Sequence, residues 1–359
     1  MRIAIDASRA ARPNQTGTEA YSRHLIDALV PLAGRHRVLL YYDRTPDALV
    51  GGATTRVVPL PRLWTHLRLS LEMLRERPDV LFVPSHVVPP VHPRATVVTV
   101  HDLGYLRYRL AYPPAAWIYL AVSTIWSARA ASEVVVDSWA TRRDLVRHTR
   151  VDPARVHVVH LGVEPRFRPL PPAEVGAALG RLGLAPGYLL FVGTLQPRKN
   201  LPRLLRAYAL AQGEAAMPRL VVAGALGHRA ADLRWPEGAW HLGRAPPADL
   251  PALYGGAAGF VFPSLFEGFG LPPLEAMACG TPVLAGANSS MPEVVGDAGL
   301  LVDATSDRAI ADGLVRLATD GDLRADLRRR GLARAAGFTW ERTARQTLAV
   351  LERAASLSS

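Results

Sequence analysis

The sequence predicts an α/β protein made of two doubly wound, parallel-sheet domains, and three observations carry that reading. Short, continuously apolar runs alternate with longer amphipathic segments, the mark of parallel strands covered on both faces. The runs form two series: residues 3–6, 38–42, 80–83, 97–101, 133–137 and 156–160, then 188–192, 220–223, 259–262, 282–285 and 299–302. Between the series, residues 162–186 hold Pro165, Pro169, Pro171 and Pro172, a linker composition.

A chain of 359 residues exceeds the usual size of one core and suits two. We expect a first Rossmann-like domain over residues 1–163, a second over 164–337, and a C-terminal amphipathic helix over 338–359 that packs back on the first. Ligands of such sheets sit at the carboxyl ends of the strands.

Hydrophobic residues make up 49% of the chain and charged residues 20%, which is globular and excludes a disordered chain. Met1-Arg-Ile-Ala-Ile-Asp6 reads as a buried strand and lacks the apolar core and cleavage site of a signal peptide. The most apolar long segment, 115–131, is shorter than the ~20 residues that span a bilayer. It is also interrupted by Ser123, Thr124, Ser127 and Arg129. A single cysteine, Cys279, excludes an internal disulfide and a cysteine-cluster metal site. These features lead us to expect a cytoplasmic protein.

The formal charge of +11 favours anionic partners. No nucleic-acid-binding motif accompanies it, so nucleic acid is not an expected partner. Among 42 Lys plus Arg there is one lysine, Lys199. Where every other basic position is arginine, that lysine points to a site that needs a compact point charge.

The most informative segment is Phe262-Pro-Ser-Leu-Phe-Glu267-Gly-Phe-Gly-Leu-Pro-Pro-Leu-Glu275-Ala-Met-Ala-Cys-Gly280. It leaves a strand, turns through Gly268 and Gly270, and opens a helix at Pro272 and Pro273 that Gly280 can end. Backbone N–H groups at such a helix start attract anions. Glu267 lies in the loop and Glu275 in the helix, so the two carboxylates can hold different parts of one elongated ligand. A second constellation, Gly193-Thr-Leu-Gln-Pro-Arg198-Lys199-Asn200, follows another strand. Two adjacent cations at a strand-to-helix turn can neutralise a diphosphate and ease its departure.

The first domain offers Asn14-Gln-Thr-Gly17-Thr18-Glu19 after its first strand, where Gly17 allows close backbone approach to a phosphate. It also offers His101-Asp102 at a strand end. A lone strand-end histidine is more often structural than catalytic. Nothing resembles a nucleophile elbow or an H-E-x-x-H zinc site, and Asp320-Gly-Asp322 reads as a turn or helix cap.

Glu267-x7-Glu275 within Glu-Gly-Phe-Gly-Leu-Pro-Pro-Leu-Glu-Ala-Met-Ala resembles the signature of the family 4 retaining glycosyltransferases, which have the GT-B fold. The resemblance extends to Leu250-Pro-Ala-Leu-Tyr254, Gly280-Thr-Pro-Val, Ser290-Met-Pro-Glu293-Val-Val-Gly-Asp-Ala298 and Phe338-Thr-Trp-Glu341. Arg198-Lys199-Asn200 resembles the phosphate-binding run of the mannosyltransferase-like branch. The resemblance implies two Rossmann-like domains facing across a cleft, the first on the acceptor side and the second holding the nucleotide sugar.

It also implies roles. Glu275 would hold the ribose hydroxyls, and Glu267 with the backbone of Phe269, Gly270 and Leu271 would hold the donor sugar. Lys199 and Arg198 would hold the diphosphate, Gly17 and Thr18 would approach the donor, and His101 would lie beside the sugar. The favoured donor is GDP-mannose, with glucose and rhamnose as the other candidate sugars, and no metal or other cofactor is needed for the chemistry. The expected acceptor is a lipid-linked or cell-envelope glycan. Family members often carry Arg directly after the strand-end glycine, where this chain has Thr194, and a second glycine near Gly17. Those departures weigh on Arg198 and on Gly17. Two rival readings are a GT-B nucleotide-sugar epimerase and a non-catalytic sugar-nucleotide-binding protein. A nicotinamide dehydrogenase lacks its Gly-x-Gly-x-x-Gly.

The segment from Arg62 to Arg77 aligns Leu63, Leu67, Leu71 and Leu74 on one helical face, with Arg62, Arg68 and Arg75 mostly elsewhere. It reads either as a helix packed on its own domain or as a basic helix in peripheral contact with an anionic membrane, at the inner face of the cytoplasmic membrane.

Overall fold

A computed structural model of the protein describes residues 1–12, 17–60, 63–85, 87–109, 112–194, 196–225 and 233–357. Asn14, Gln15 and Thr16 of the first glycine loop, Arg62, and Leu195 lie outside the described residues. The chain divides into two compact units, Met1–Gly162 with Thr339–Ser359, and Val163–Phe338.

The first unit is a seven-stranded sheet ordered β3-β2-β1-β4-β5-β6-β7. Its strands are β1 (Arg2–Asp6), β2 (Arg37–Tyr42), β3 (Thr54–Val57), β4 (Val80–Val83), β5 (Thr96–Val100), β6 (Glu133–Val136) and β7 (Val156–Val158). Every neighbouring pair is parallel. Its helices are α1 (Gly17–Leu32), α2 (Ser70–Glu76), α3 (Gly104–Arg107), α4 (Pro114–Ala130) and α5 (Trp139–Thr149). The central strands are wholly buried, which is why they read as mainly apolar runs, with Thr96, Thr99 and Glu133 as their buried polar members.

The second unit is a six-stranded parallel sheet ordered β10-β9-β8-β11-β12-β13. Its strands are β8 (Tyr188–Val192), β9 (Leu220–Ala223), β10 (Ala239–Gly243), β11 (Ala257–Phe262), β12 (Val283–Gly286) and β13 (Gly299–Val302). Helices α6 (Pro172–Arg181), α7 (Leu201–Gln212), α8 (Leu250–Gly255), α9 (Leu271–Ala278), α10 (Met291–Val294), α11 (Asp307–Thr319) and α12 (Gly321–Ala335) complete it. Asp320 caps α12 by accepting from the Leu323 N–H, so Asp320-Gly-Asp322 is a helix start.

The last helix, α13 (Trp340–Ser356), clusters with the first unit. Thr339 caps it, and the Thr343 hydroxyl donates to the His160 carbonyl. Glu352 meets His36, and Arg353 meets the buried Glu133.

Each sheet has one topological switch point, where the chain leaves the centre in opposite directions: β1/β4 in the first and β8/β11 in the second. Loops diverge there and leave a crevice at the carboxyl ends. Among the described residues no helix is long and apolar enough to cross a membrane.

The segment after Arg62 departs from a single helix. Trp64–Leu69 form a π-turn that passes into α2. Trp64, Leu69 and Met73 are the hydrophobic residues it buries, while Leu63, Leu67, Leu71 and Leu74 stay exposed. The apolar spacing is helical, but the domain is gripped through a different face. Arg68 and Arg75 both meet the carboxylate of the buried Glu72.

Candidate active site

The second unit gathers most of the sequence-predicted residues at the β8/β11 switch point. After β8 the chain makes a short turn, Pro197–Lys199, which carries Arg198 and Lys199. Asn200 then adopts left-handed backbone (φ 62°) and reverses into α7. Asparagine tolerates that conformation better than most residues. Its side chain donates to the carbonyls of Pro263 (3.0 Å) and Ala304 (2.7 Å), so Asn200 is a hinge that ties the turn to the end of β11. Two further bonds lace the loops together, from Leu265 N–H and Ser264 Oγ to the Arg198 carbonyl.

Glu267 stands in the loop after β11, and its carboxylate is fully engaged. Oε1 accepts from Lys199 Nζ at 2.7 Å and from Ser264 Oγ at 2.5 Å. Oε2 accepts from Arg198 Nη1 at 2.7 Å. Burial alone would raise the Glu267 pKa, but Lys199 and Arg198, with the hydrogen bonds from Lys199 and Ser264, more than offset it and hold the group below its ordinary value. Lys199 is 7% exposed, and its ammonium lies 4.5 Å from the centre of the Phe262 ring. One carboxylate and two permanent cations leave this cluster with one net positive charge. A cation surplus fixed before any ligand arrives suits a diphosphate.

Gly270 carries the turn into α9 with φ 117°. The conformation favours glycine, and a Cβ there would lie 2.3 Å from the Met291 terminal methyl, which would have to shift. The loop is held by the 288–291 segment: Ser289 Oγ donates to the Glu267 carbonyl, and Ser290 Oγ to the Phe269 carbonyl at 2.6 Å. Leu271 opens α9. Within α9, Glu275 Oε2 accepts from the buried Tyr254 hydroxyl at 2.8 Å. Burial first, and then the Glu275 charge, push the Tyr254 pKa well up, so the phenol stays a donor. Thr281 fixes the Tyr254 carbonyl in turn.

In the first unit, Gly17 and Thr18 begin α1, whose start lies at the carboxyl end of the sheet. A Cβ on Gly17 would meet nothing within 4 Å, so packing does not demand glycine there. Glu19, one turn in, pairs with Arg9. His101 directly follows β5, and both of its ring nitrogens are engaged. Nδ1 lies 2.8 Å from Asp137 Oδ2 and Nε2 lies 3.1 Å from the Pro84 carbonyl. The Tyr21 ring meets the imidazole edge-on at 4.6 Å. Asp102 accepts from the Gly104 N–H and so shapes the loop that follows.

Sequence reasoning did not single out Ser264, Ser289, Tyr254 or Asp137. Tyr254 and Ser290 stood inside quoted motifs. Asp137 ends an apolar run one strand from His101, but the register that joins them is invisible without the sheet.

Comparison with known proteins bears on this arrangement. A family model described as Glycosyl transferases group 1 matches residues 182–334, and one described as Glycosyltransferase Family 4 matches residues 16–167. The O-antigen chain mannosyltransferase B of Escherichia coli is 35% identical over 294 residues, covering 79% of this chain and 77% of that protein. A D-inositol 3-phosphate glycosyltransferase from a Nocardioides species is 38% identical over 251 residues, 63% of this chain and 54% of that protein. The chain thus matches about half the length of that relative. Among solved structures, Anabaena Alr3699/HepE in complex with UDP and glucose superposes with a TM-score of 0.74 at 20% identity, covering 98% of this chain and 100% of that one, which shows a shared fold. With two family models that together match residues 16–167 and 182–334, and a curated relative matched over most of both chains, the protein belongs to the family 4 glycosyltransferases of the GT-B fold.

Proposed function

We propose that this glycosyltransferase moves a hexose, mannose first among the candidates, from a nucleotide-diphosphate sugar to a glycan acceptor with retention of configuration. The observation that carries the reading is the Lys199–Arg198–Glu267 cluster at the switch point of the second sheet. In this reading Lys199 and Arg198 take the diphosphate, Glu267 and the backbone of Phe269, Gly270 and Leu271 take the donor sugar, and Glu275 takes the ribose. The bond from the anomeric carbon to the phosphate oxygen breaks as the acceptor oxygen bonds the same face. The acceptor's proton passes to the departing phosphate. The cations stabilise the charge that develops on the leaving group. They supply what a divalent metal would, so transfer should persist in EDTA.

Similarity to the mannosyltransferase favours GDP-mannose and a polysaccharide-building, lipid-linked or cell-envelope acceptor. The UDP complex of the HepE neighbour makes UDP-glucose the competing donor. The discriminating experiment is a thermal-shift panel of nucleotide diphosphates and their sugars, followed by transfer assays with the donor that stabilises most. GDP and GDP-mannose should raise the melting temperature more than their UDP counterparts, and the product should keep the donor's anomeric configuration. Stabilisation by UDP-glucose alone overturns the mannose reading, and an inverted product overturns retention.

The same reading has the protein work at the cytoplasmic face of a membrane that carries its acceptor. Exposed apolar side chains in the first unit support peripheral contact. Leu67, Leu71 and Leu74 face outward, and α4 buries Ser123, Thr124 and Ser127 while exposing Ile118, Val122 and Trp126. His66 beside Leu67 bonds the Tyr119 hydroxyl, which brings the two apolar rows together. Residues 103–132 include Arg107, Arg109 and Arg129 and no acid. Co-sedimentation with phosphatidylglycerol vesicles should weaken with salt and be lost in V122D/W126D. Absence of binding by the wild type at low salt sinks this part.

A further inference from the structure

The first unit carries a polar cavity of about 160 Å³ beside the carboxyl ends of β1 and β2. Three segments wall it: the chain after β1 with Arg12, the middle of α1 with Arg23, Ile26 and Asp27, and the chain from the end of β2 with Tyr42 and Asp47. β2 lies on the side of β1 away from β4. The cavity is therefore set outward from the β1/β4 switch point, toward the edge of the sheet. Gly17, Thr18 and His101 do not line it.

Three hydrogen-bonding groups on these walls are unspent. Tyr42 is 2% exposed, and its hydroxyl has no hydrogen-bond partner among the described residues. Arg12 donates through Nη2 to Asp43 at 2.8 Å, but its Nε is buried and unbonded. The Asp27 carboxylate, at the rim, has no hydrogen-bond partner among the described residues either. Buried polar groups are nearly always paired, so several unpaired ones on one cavity call for a polar guest. Burial first, and then the Asp27 charge, raise the Tyr42 pKa above its ordinary value. The phenol thus keeps its proton, and Asp27 lies within its electrostatic reach.

The chemistry of the walls selects the guest. A carboxylate only accepts, a guanidinium N–H only donates, and a phenol does both. Together they match hydroxyl groups, each of which donates and accepts. The charged lining is two arginines and two aspartates, a balance that gives no preference to an anion. Ile26 adds an apolar surface for the C–H face of a ring. The volume is below the ~300 Å³ at which drug-sized sites begin, so the cavity admits one small ring and not a nucleotide.

We propose that this cavity binds one neutral monosaccharide unit of a glycan, with Asp27 and Tyr42 holding its hydroxyl groups, and so grips the chain at a unit other than the one that reacts. The inference rests on the reading of the acceptor as a glycan. The site belongs wholly to the first unit.

Ile26 reports on the site directly, because it lines the cavity and is one of six isoleucines in the chain. The test is methyl NMR of the full chain labelled at isoleucine. It is titrated with the methyl glycosides of mannose, glucose and rhamnose, and separately with inorganic phosphate. At least one glycoside should displace the Ile26 signal and leave that of Ile310, in α11 of the second unit, in place. Phosphate should not displace it. Asp27→Ala should weaken that glycoside at least about tenfold, the usual worth of a charge-assisted bond, and Tyr42→Phe about two- to tenfold. Neither variant removes a side-chain hydrogen bond of the described residues, and the signals of Ile3 and Ile5 in β1 report that the fold is kept. Displacement of Ile26 by none of the glycosides overturns the proposal. So does displacement by phosphate alone, or unchanged affinity in both variants. In a transfer assay D27A should raise KM for an oligosaccharide acceptor and spare that for a monosaccharide glycoside, with kcat unchanged. Unchanged KM for both overturns the grip on the chain. If no donor supports transfer, the enzymic reading fails, while the titration, which needs neither donor nor turnover, still decides the sugar site.

Discussion

Each unit sets an ion pair just past the carboxyl ends of neighbouring parallel strands, and the two pairs differ in kind. In the second unit one carboxylate, Glu267, faces two basic side chains, Arg198 and Lys199. In the first, Asp137 faces an imidazole whose charge depends on pH. The second unit's cluster sits on its sheet's switch point, whereas His101 stands one strand away and reaches that point through the Pro84 carbonyl and the Tyr21 ring. The difference teaches a division of labour: charge that must be constant is built from Lys and Arg, and charge that can be tuned is built from His. Removing a charge from the second unit's cluster should therefore cost stability and binding at all neutral pH values, whereas Asp137→Asn should act through pH.

The largest effect is expected from Glu267→Gln. It leaves Lys199, with a side chain 9% exposed, as a buried cation without its carboxylate. Removing one partner of a buried pair costs about 3–5 kcal/mol. Denaturant unfolding should show that loss, and calorimetry should show weakened donor binding. The pH dependence sharpens the point. Because the folded pKa of Glu267 is below its ordinary 4.5, its contribution is fully present above 4.5 and is lost as pH falls through the folded value. E267Q should flatten that acid limb of the stability curve. A variant as stable as the wild type at pH 7 would mean the cations are satisfied without Glu267.

Glu275→Gln comes next. Glu275 is partly exposed and meets a neutral phenol, so the fold should survive its neutralisation. Loss of a charge-assisted bond to ribose is worth about 1.5–3 kcal/mol in nucleotide affinity. Wild-type affinity by calorimetry would remove Glu275 from the donor site and leave it as the partner of Tyr254.

The same contrast explains what the sequence reveals. The second unit's site is built from two contiguous motifs, Arg198-Lys199-Asn200 and the run from Glu267 to Glu275, so it is legible before any fold is known. The pair in the first unit joins residues 36 apart through a strand register that no local pattern encodes. Buried central strands announce themselves by mainly apolar, β-branched runs. The edge strands β3, Thr-Thr-Arg-Val, and β10, Ala-Trp-His-Leu-Gly, are half exposed and escape that test. The leucine row after Arg62 misleads for a related reason. Helical spacing identifies a face, but only packing says which face is buried, and here Trp64, Leu69 and Met73 are the residues gripped.

The smallest effect, and the sharpest test of a constant charge, is Lys199→Arg. Net charge is unchanged, so pH dependence and overall electrostatics should be unchanged too. Geometry is what differs. The ammonium reaches Glu267 Oε1 at 2.7 Å, lies over the Phe262 ring, and its stem would lie 3.8 Å from a Cβ placed on Gly193. A planar guanidinium is larger and cannot present the same point charge in that space. A carboxylate can accept a fork of two N–H groups, so the pair with Glu267 can re-form and stability should fall little. A leaving diphosphate needs the charge at a defined place as it develops. Losing one preorganised stabiliser typically costs ~2.7–4 kcal/mol, so a displaced one should cost on the order of tenfold in turnover. Donor affinity should change less than kcat, because the misplaced charge matters most in the transition state. Turnover and donor affinity for wild type and variant, with melting temperature as the folding control, decide it. Equal turnover in a folded K199R would show that the site needs a cation but not a compact one, and would make the solitary lysine a matter of composition.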